Sequence, residues 1–146
     1  LKNKNLTSNK TYINHQTEKC ESNQVYKGVL NDEAKASYYS NTFVDKKAQK
    51  TEGYQLSKGI LLSDSCTYFS KPELRIFADD VKCSHGSTIG PIDERAMFYL
   101  RTRGINKKEA LKMLISSFIN EDIQILDNYT SSRVLGNVEK YLETIQ

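Results

Sequence analysis

Apolar and polar positions alternate over short stretches through the first part of the chain. Val25 to Leu30, Ala36 to Tyr39, Thr42 to Val44, Tyr54 to Leu56, Ile60 to Leu62, Thr67 to Phe69, Leu74 to Phe77 and Val81 to His85 are the stretches. They hold β-branched and aromatic residues, and Gly, Asn, Asp and Lys punctuate them. A period of two predicts strands. Strands this short suit a solenoid, in which each coil adds a few residues per face and stacks on its neighbour. No hexapeptide or nonapeptide repeat is readable, so the pattern alone also allows a sandwich or a barrel. Residues 1–19 are rich in Asn, Lys and Thr, with Tyr12 and Ile13 as a clustered apolar pair. They read as an irregular or edge segment, with His15 at the surface.

The period changes after Gly90. Pro91 and Asp93 start a helix, with Glu94 in its first turn. Gly104 ends it, Ile105 folding back on Leu100 in a Schellman motif, and Arg101 and Arg103 complement the dipole. Asn106 caps a second helix, with Glu109 at capping-box spacing. Its apolar stripe is Leu111, Leu114, Ile115 and Phe118, which either continues through Ile125, Leu126 and Tyr129 or breaks near Asn120. A last helix follows Ser131-Ser132, with Val134, Leu135, Val138, Tyr141, Leu142 and Ile145 on one face. The predicted organisation is a β domain over 1–90 and a small helical bundle over 91–146.

Composition narrows this little. The chain has 146 residues, 38% hydrophobic and 27% charged, and a mean hydropathy of -0.61. No apolar run approaches the roughly 20 residues of a membrane helix. A net charge of +3 is too small to point to nucleic acid. There is neither a signal-peptide pattern nor an initiator Met, so the chain is expected to be a piece of something longer. Cys20, Cys66 and Cys83 lack zinc-type spacing and read as free thiols in a reducing compartment, with Cys66 as apolar filler and Cys20 inert.

The candidate chemistry lies in Lys71 to Gly104. Asp79-Asp80 reads as a turn. Val81, Cys83 and His85 follow at period two and leave one face of a strand, Cys83 and His85 about 6.6 Å apart. A thiolate and an imidazole so placed are able to share one metal ion. A closed site needs about four ligands, so the others must come from another chain or from solvent. The plainer alternative is a packed thiol and a surface imidazole. Adjacent Asp79 and Asp80 point to opposite faces, which argues against a glycosidase pair. Same-face residues on one strand are too far apart for a thiol–imidazole nucleophile pair. No phosphate-binding glycine loop is present.

The segment ADDVKCSHGSTIG followed by FYLRTRGI, with SKPELRI before it and the more distant CESNQVYKGVL and AQKTEGYQLSKGILLSD, resembles the SufB/SufD family of iron–sulfur cluster assembly scaffold proteins. The resemblance is collinear from about Cys20 to Ile119. It falls on the SufD side, because SufB carries an EHE-type sequence where this chain has Cys83-Ser84-His85. Ser87, Met97, Ser57 and Gly59 depart from the family's usual Ala, Leu and Asn. The resemblance implies a right-handed parallel β-helix, truncated at its N-terminal side, followed by helices. It implies a non-catalytic scaffold that pairs with SufB through the β-helix and docks the ATPase SufC on its helical part. A transient iron–sulfur cluster shared with SufB would form at Cys83 and His85, His85 being the principal ligand. Pro91, Asp93, Phe98, Tyr99, Arg101 and Arg103 fall on the implied docking surface. No nucleotide, nucleic acid or membrane is implied, and the setting would be the bacterial cytoplasm or the plastid stroma. A β-helix carbohydrate-active enzyme and a passive interaction module without a metal role are the competing readings.

Overall fold

The computed structural model describes residues 1–123 and 127–144. Among the described residues the strands are β1 (Leu6–His15), β2 (Glu21–Leu30), β3 (Lys35–Val44), β4 (Thr51–Leu61), β5 (Thr67–Ile76) and β6 (Val81–Pro91), and the helices are α1 (Glu94–Thr102), α2 (Lys107–Ile123) and α3 (Asn128–Glu143). The strands form two parallel sheets, β1-β3-β5 and β2-β4-β6. Each strand thus pairs with the one two ahead of it, the connectivity of a parallel β-helix. Leu6 opposes Lys35, and Lys35 opposes Thr67, giving coils of 29 and then 32 residues. The hydrogen-bond ladder continues through the corners, where Lys19 N–H donates to the Gln49 carbonyl at 2.9 Å and Lys50 N–H to the Asp80 carbonyl at 2.5 Å.

The strands are longer than the alternation predicts. Ala36–Tyr39 and Thr42–Val44 merge into β3, Tyr54–Leu56 and Ile60–Leu62 into β4, and Thr67–Phe69 and most of Leu74–Phe77 into β5, while β6 runs on to Pro91. The apparent breaks are polar residues that face the interior. Ser40 is buried and donates to Gln24 Oε1 at 2.8 Å, and buried Ser57 shares a 2.7 Å hydrogen bond with the Tyr68 hydroxyl. Pro72 is tolerated because β5 lies at the edge of its sheet, where an N–H can be dispensed with. The N-terminal segment resolves to an edge strand, β1, paired along its whole length with β3.

Apolar burial concentrates in two interior clusters. Leu30, Ala36, Tyr38, Cys66 and Tyr68 form one, with Tyr26 against it. The Tyr26 and Tyr38 rings stack 4.2 Å apart at 7°. Cys66 is thus buried filler, as its neighbours predict. Burial pushes the Tyr68 phenol up to about 12, against a smaller downward pull from the Ser57 hydrogen bond. Val44, Ala48 and Ala78 form the second cluster. Between them runs a polar seam. Gln24 Nε2 donates to Thr42 Oγ1 at 3.0 Å, and Gln55 Nε2 donates to the same oxygen.

Two compact units divide the chain, Leu1–Pro91 and Ile92–Gln146. In the second, Asp93 caps α1, its Oδ1 accepting from Arg95 N–H at 2.8 Å and Ala96 N–H at 3.2 Å. Pro91 does not open the helix. It ends β6, because the β6–β4 pairing extends to Pro91 opposite Leu61. Gly104, at φ 85°, takes the left-handed position after the helix. Its N–H donates to the Arg101 carbonyl and that of Ile105 to the Leu100 carbonyl, completing the Schellman pattern. Asn106 Oδ1 accepts from Glu109 N–H at 2.9 Å, while the Glu109 carboxylate lies 3.4 Å from Lys112 Nζ. Ile115 is the fully buried member of the α2 stripe. α3 begins three residues before Ser131-Ser132, because Asp127 is the stronger cap, accepting from Tyr129 and Thr130 N–H at 3.0 Å. The Ser131 and Ser132 hydroxyls instead bond the Ile123 and Asn128 carbonyls. Ile125, Leu126 and Ile145 lie outside the described residues.

Candidate functional site

Burial along β4 alternates strictly, with Thr51, Gly53, Gln55, Ser57 and Gly59 buried, so these residues line the interior. Parallel pairing keeps opposed residues on the same face. Thr51 opposes Val81, Gly53 opposes Cys83 and Gln55 opposes His85. Cys83 and His85 therefore share a face, as their spacing predicts, and it is the inward face of β6. They are not walled off, because β6 is an outer strand bonded to β4 alone. His85 is exposed and Cys83 half-buried.

The two side chains have different surroundings. Cys83 packs against the Val44, Ala48 and Ala78 cluster beside Val81. Burial pushes its thiol up, and a hydrogen bond from the Gly53 backbone pulls less strongly the other way. Burial thus disfavours the Cys83 thiolate, the form that binds metal. A Cβ on Gly53 would stand 3.3 Å from Cys83 Sγ, 3.5 Å from Ser22 Oγ and 3.9 Å from His15 Nε2. Only the Cys83 contact would be tight; the other two are ordinary van der Waals distances.

His15 was unmarked in the sequence. It is not a surface residue: it is 5% exposed, and its Nε2 lies 2.9 Å from Ser22 Oγ. It ends β1 as an inward residue opposite Val44, and alternation from Ile13 is the signal that reveals it. Burial holds its imidazole below the ordinary value. A lowered folded-state value means that the unfolded chain takes up the proton first. The contribution is therefore present above the unfolded value of about 6.5 and is lost as pH falls below it. Urea midpoints measured from about pH 7.5 to 5 should decline, and His15→Asn should flatten that decline. An equally steep decline in the variant would refute the assignment.

Among the described residues no group of three or more His, Cys, Asp or Glu side chains gathers around a point. Cys83 and His85 are two side chains of metal-binding type on one face, fewer than a closed site needs. Asp79 and Asp80 are exposed at the β5–β6 corner, where Asp80 N–H donates to Gln49 Oε1 at 2.9 Å, which is the turn role. Cys20 Sγ donates to the Thr17 carbonyl at 3.2 Å.

The six residues of the expected docking surface divide. Pro91 is exposed at the end of β6, and Asp93 spends its carboxylate on the α1 cap. Phe98 and Tyr99 are 70% and 57% exposed on α1. Arg103 lies over the Tyr99 ring, 5.2 Å from its centroid, and Arg101 is exposed. This is an aromatic and basic surface on one helix.

The connectivity of the two parallel sheets places the chain among the parallel β-helix proteins. The SUF system FeS cluster assembly SufBD core domain matches residues 1–118, and the chain belongs to that family. It is 36% identical over 91% of its length to the iron–sulfur cluster assembly protein SufD of Escherichia coli, of which it covers 32%. It is 37% identical over 81% of its length to a SufBD family protein of Synechocystis, covering 25% of that protein. A chloroplastic Arabidopsis thaliana protein, ABCI7, is 47% identical over 47% of the chain. The chain thus spans a third or less of the length of these relatives.

Proposed function

We propose that this chain is the C-terminal portion of a SufD-type, non-catalytic scaffold subunit of the SUF iron–sulfur assembly complex. Its β domain over 1–90 pairs with SufB, and its helical domain over 91–146 docks the ATPase SufC. The nascent cluster is the complex's product, and this chain contributes His85 as principal ligand with Cys83 supporting it. The observation that carries this reading is that Cys83 and His85 lie together on an outer strand, one ring exposed, with no group of three or more His, Cys, Asp or Glu among the described residues. Such a pair needs a second chain to complete a metal site. The free edges of β5 and β6 suit a partner that adds strands there. Phe98, Tyr99, Arg101 and Arg103 carry the SufC contact, aromatic and Arg side chains being the usual anchors of an interface. Asp93 acts through its cap and Pro91 as a strand end. The setting is the bacterial cytoplasm or the plastid stroma, and this chain itself binds no nucleotide.

The test is co-expression with SufB and SufC. The chain should co-purify with both, and His85→Ala should lower the iron and acid-labile sulfide recovered with the complex at least tenfold while the complex still assembles. Unchanged cluster content in His85→Ala would overturn the site assignment. Loss of neither partner on replacing Phe98 and Tyr99 by Ala would overturn the docking assignment.

A further inference from the structure

The inward row Gln24–Gln55–His85 runs through all three coils, each residue directly opposite the next. Its lower part is a committed network. Gln55 Nε2 donates to Thr42 Oγ1 and lies 3.4 Å from the Glu73 carbonyl. The Thr42 hydroxyl could face either end of the amide, but the Glu73 carbonyl only accepts, and it is the contact that places nitrogen there. The other end, Oε1, is buried and has no hydrogen-bond partner, although Gln55 as a whole is only 3% exposed. Its neighbour one strand up, about 4.8 Å away across the ladder, is an imidazole, which always carries at least one N–H donor. No hydrogen bond to the His85 ring is seen among the described residues, and the ring is exposed.

From this we infer that Gln55 is the positioning residue of His85. Its orphaned Oε1 accepts from one ring N–H when the His85 side chain rotates over the row. That bond selects one tautomer and leaves the other ring nitrogen bare, aimed away from the seam. The pairing satisfies a buried acceptor that otherwise goes unpaired. It also does for a metal-binding imidazole what an outer-shell partner ordinarily does, fixing the tautomer and the ring plane. Gln55 touches no metal. Its role rests on the reading of His85 as a ligand, but the hydrogen bond is a property of this chain alone.

The two histidines of the chain make the test direct. Nitrogen-15 labelling of histidine, read by NMR at about pH 8, gives two ring patterns, with His15 as the internal reference. His85 should show one dominant tautomer and a ring N–H that exchanges slowly enough to be seen. Gln55→Leu should shift the tautomer ratio by roughly tenfold and lose the N–H signal. Gln55→Glu, which keeps an acceptor, should restore both. An unchanged His85 pattern in Gln55→Leu would overturn the inference. If Gln55→Leu fails to fold, the unaltered chain decides. A through-space contact between the His85 ring proton and the Gln55 side chain supports the pairing, and its absence overturns it. Cluster content in His85→Ala is a separate readout, so a failed positioning role and a failed cluster site are distinguishable.

Discussion

Gly59→Ala should destabilise the β unit by about 2–3 kcal/mol or more, seen as a fall in urea midpoint with the slope unchanged. A Cβ at this position would stand 2.2 Å from Tyr68 Cδ1 and 2.7 Å from Cε1. These are ring carbons of a side chain that is 6% exposed and tied by its hydroxyl to Ser57, so the ring has nowhere to go. Interiors are packed too closely to absorb a methyl in such a place. Shrinking the ring should relieve the clash: Tyr68→Leu combined with Gly59→Ala should cost clearly less than the sum of the single changes. Strict additivity would show that the Tyr68 ring is not what excludes a side chain at position 59. Ser57 supplies the partner and Gly59 the room for one buried tyrosine.

Thr42→Val should cost roughly 2–4 kcal/mol although it preserves shape and β propensity. The Thr42 side chain is 1% exposed, and its oxygen accepts from both Gln24 Nε2 and Gln55 Nε2. A methyl in its place leaves Gln24 without its acceptor and Gln55 with only the longer contact to the Glu73 carbonyl. A buried donor without a partner loses its full hydration. Thr42→Ser, which keeps the hydroxyl, should recover most of the loss. Equal midpoints for the Val and Ser variants would show that the seam contributes nothing through this oxygen.

The two sheets were legible as strands, but not as long ones, and the reason lies in residues such as Ser40, Thr42, Gln55 and Ser57. A rule that equates burial with apolarity reads them as gaps, whereas in this interior Ser40 bonds Gln24, Gln55 bonds Thr42 and Ser57 bonds Tyr68. The coil period escaped notice for a related reason. The corner residues with positive φ are Asn3, Asp32, Lys19 and Lys50, and two lysines there look like ordinary surface charge. The helix signals were local and read well: Asp93, Gly104 and Asn106 do what their chemistry predicts. α3 was misplaced because Asp127 sits outside the apolar stripe that was followed. Of the site, spacing gave the shared face of Cys83 and His85, but not which face it was. That depended on the register with Gly53 and Gln55, a long-range fact. His15 was missed because the polar residues around it, Asn14 and Gln16 to Glu18, hide the alternation from Ile13 that carries it inward.

The difference between coils of 29 and 32 residues has a bearing on how such a chain tolerates insertion and deletion. All of the variation is absorbed between strands, while paired residues keep strict step. A residue added at a corner only lengthens a bend, but one added midway along β6 before Cys83 would exchange its two faces. Ser84 would then point inward and the thiol and imidazole outward. The place of the Cys83–His85 pair is therefore guarded by parity as much as by the identity of the two side chains.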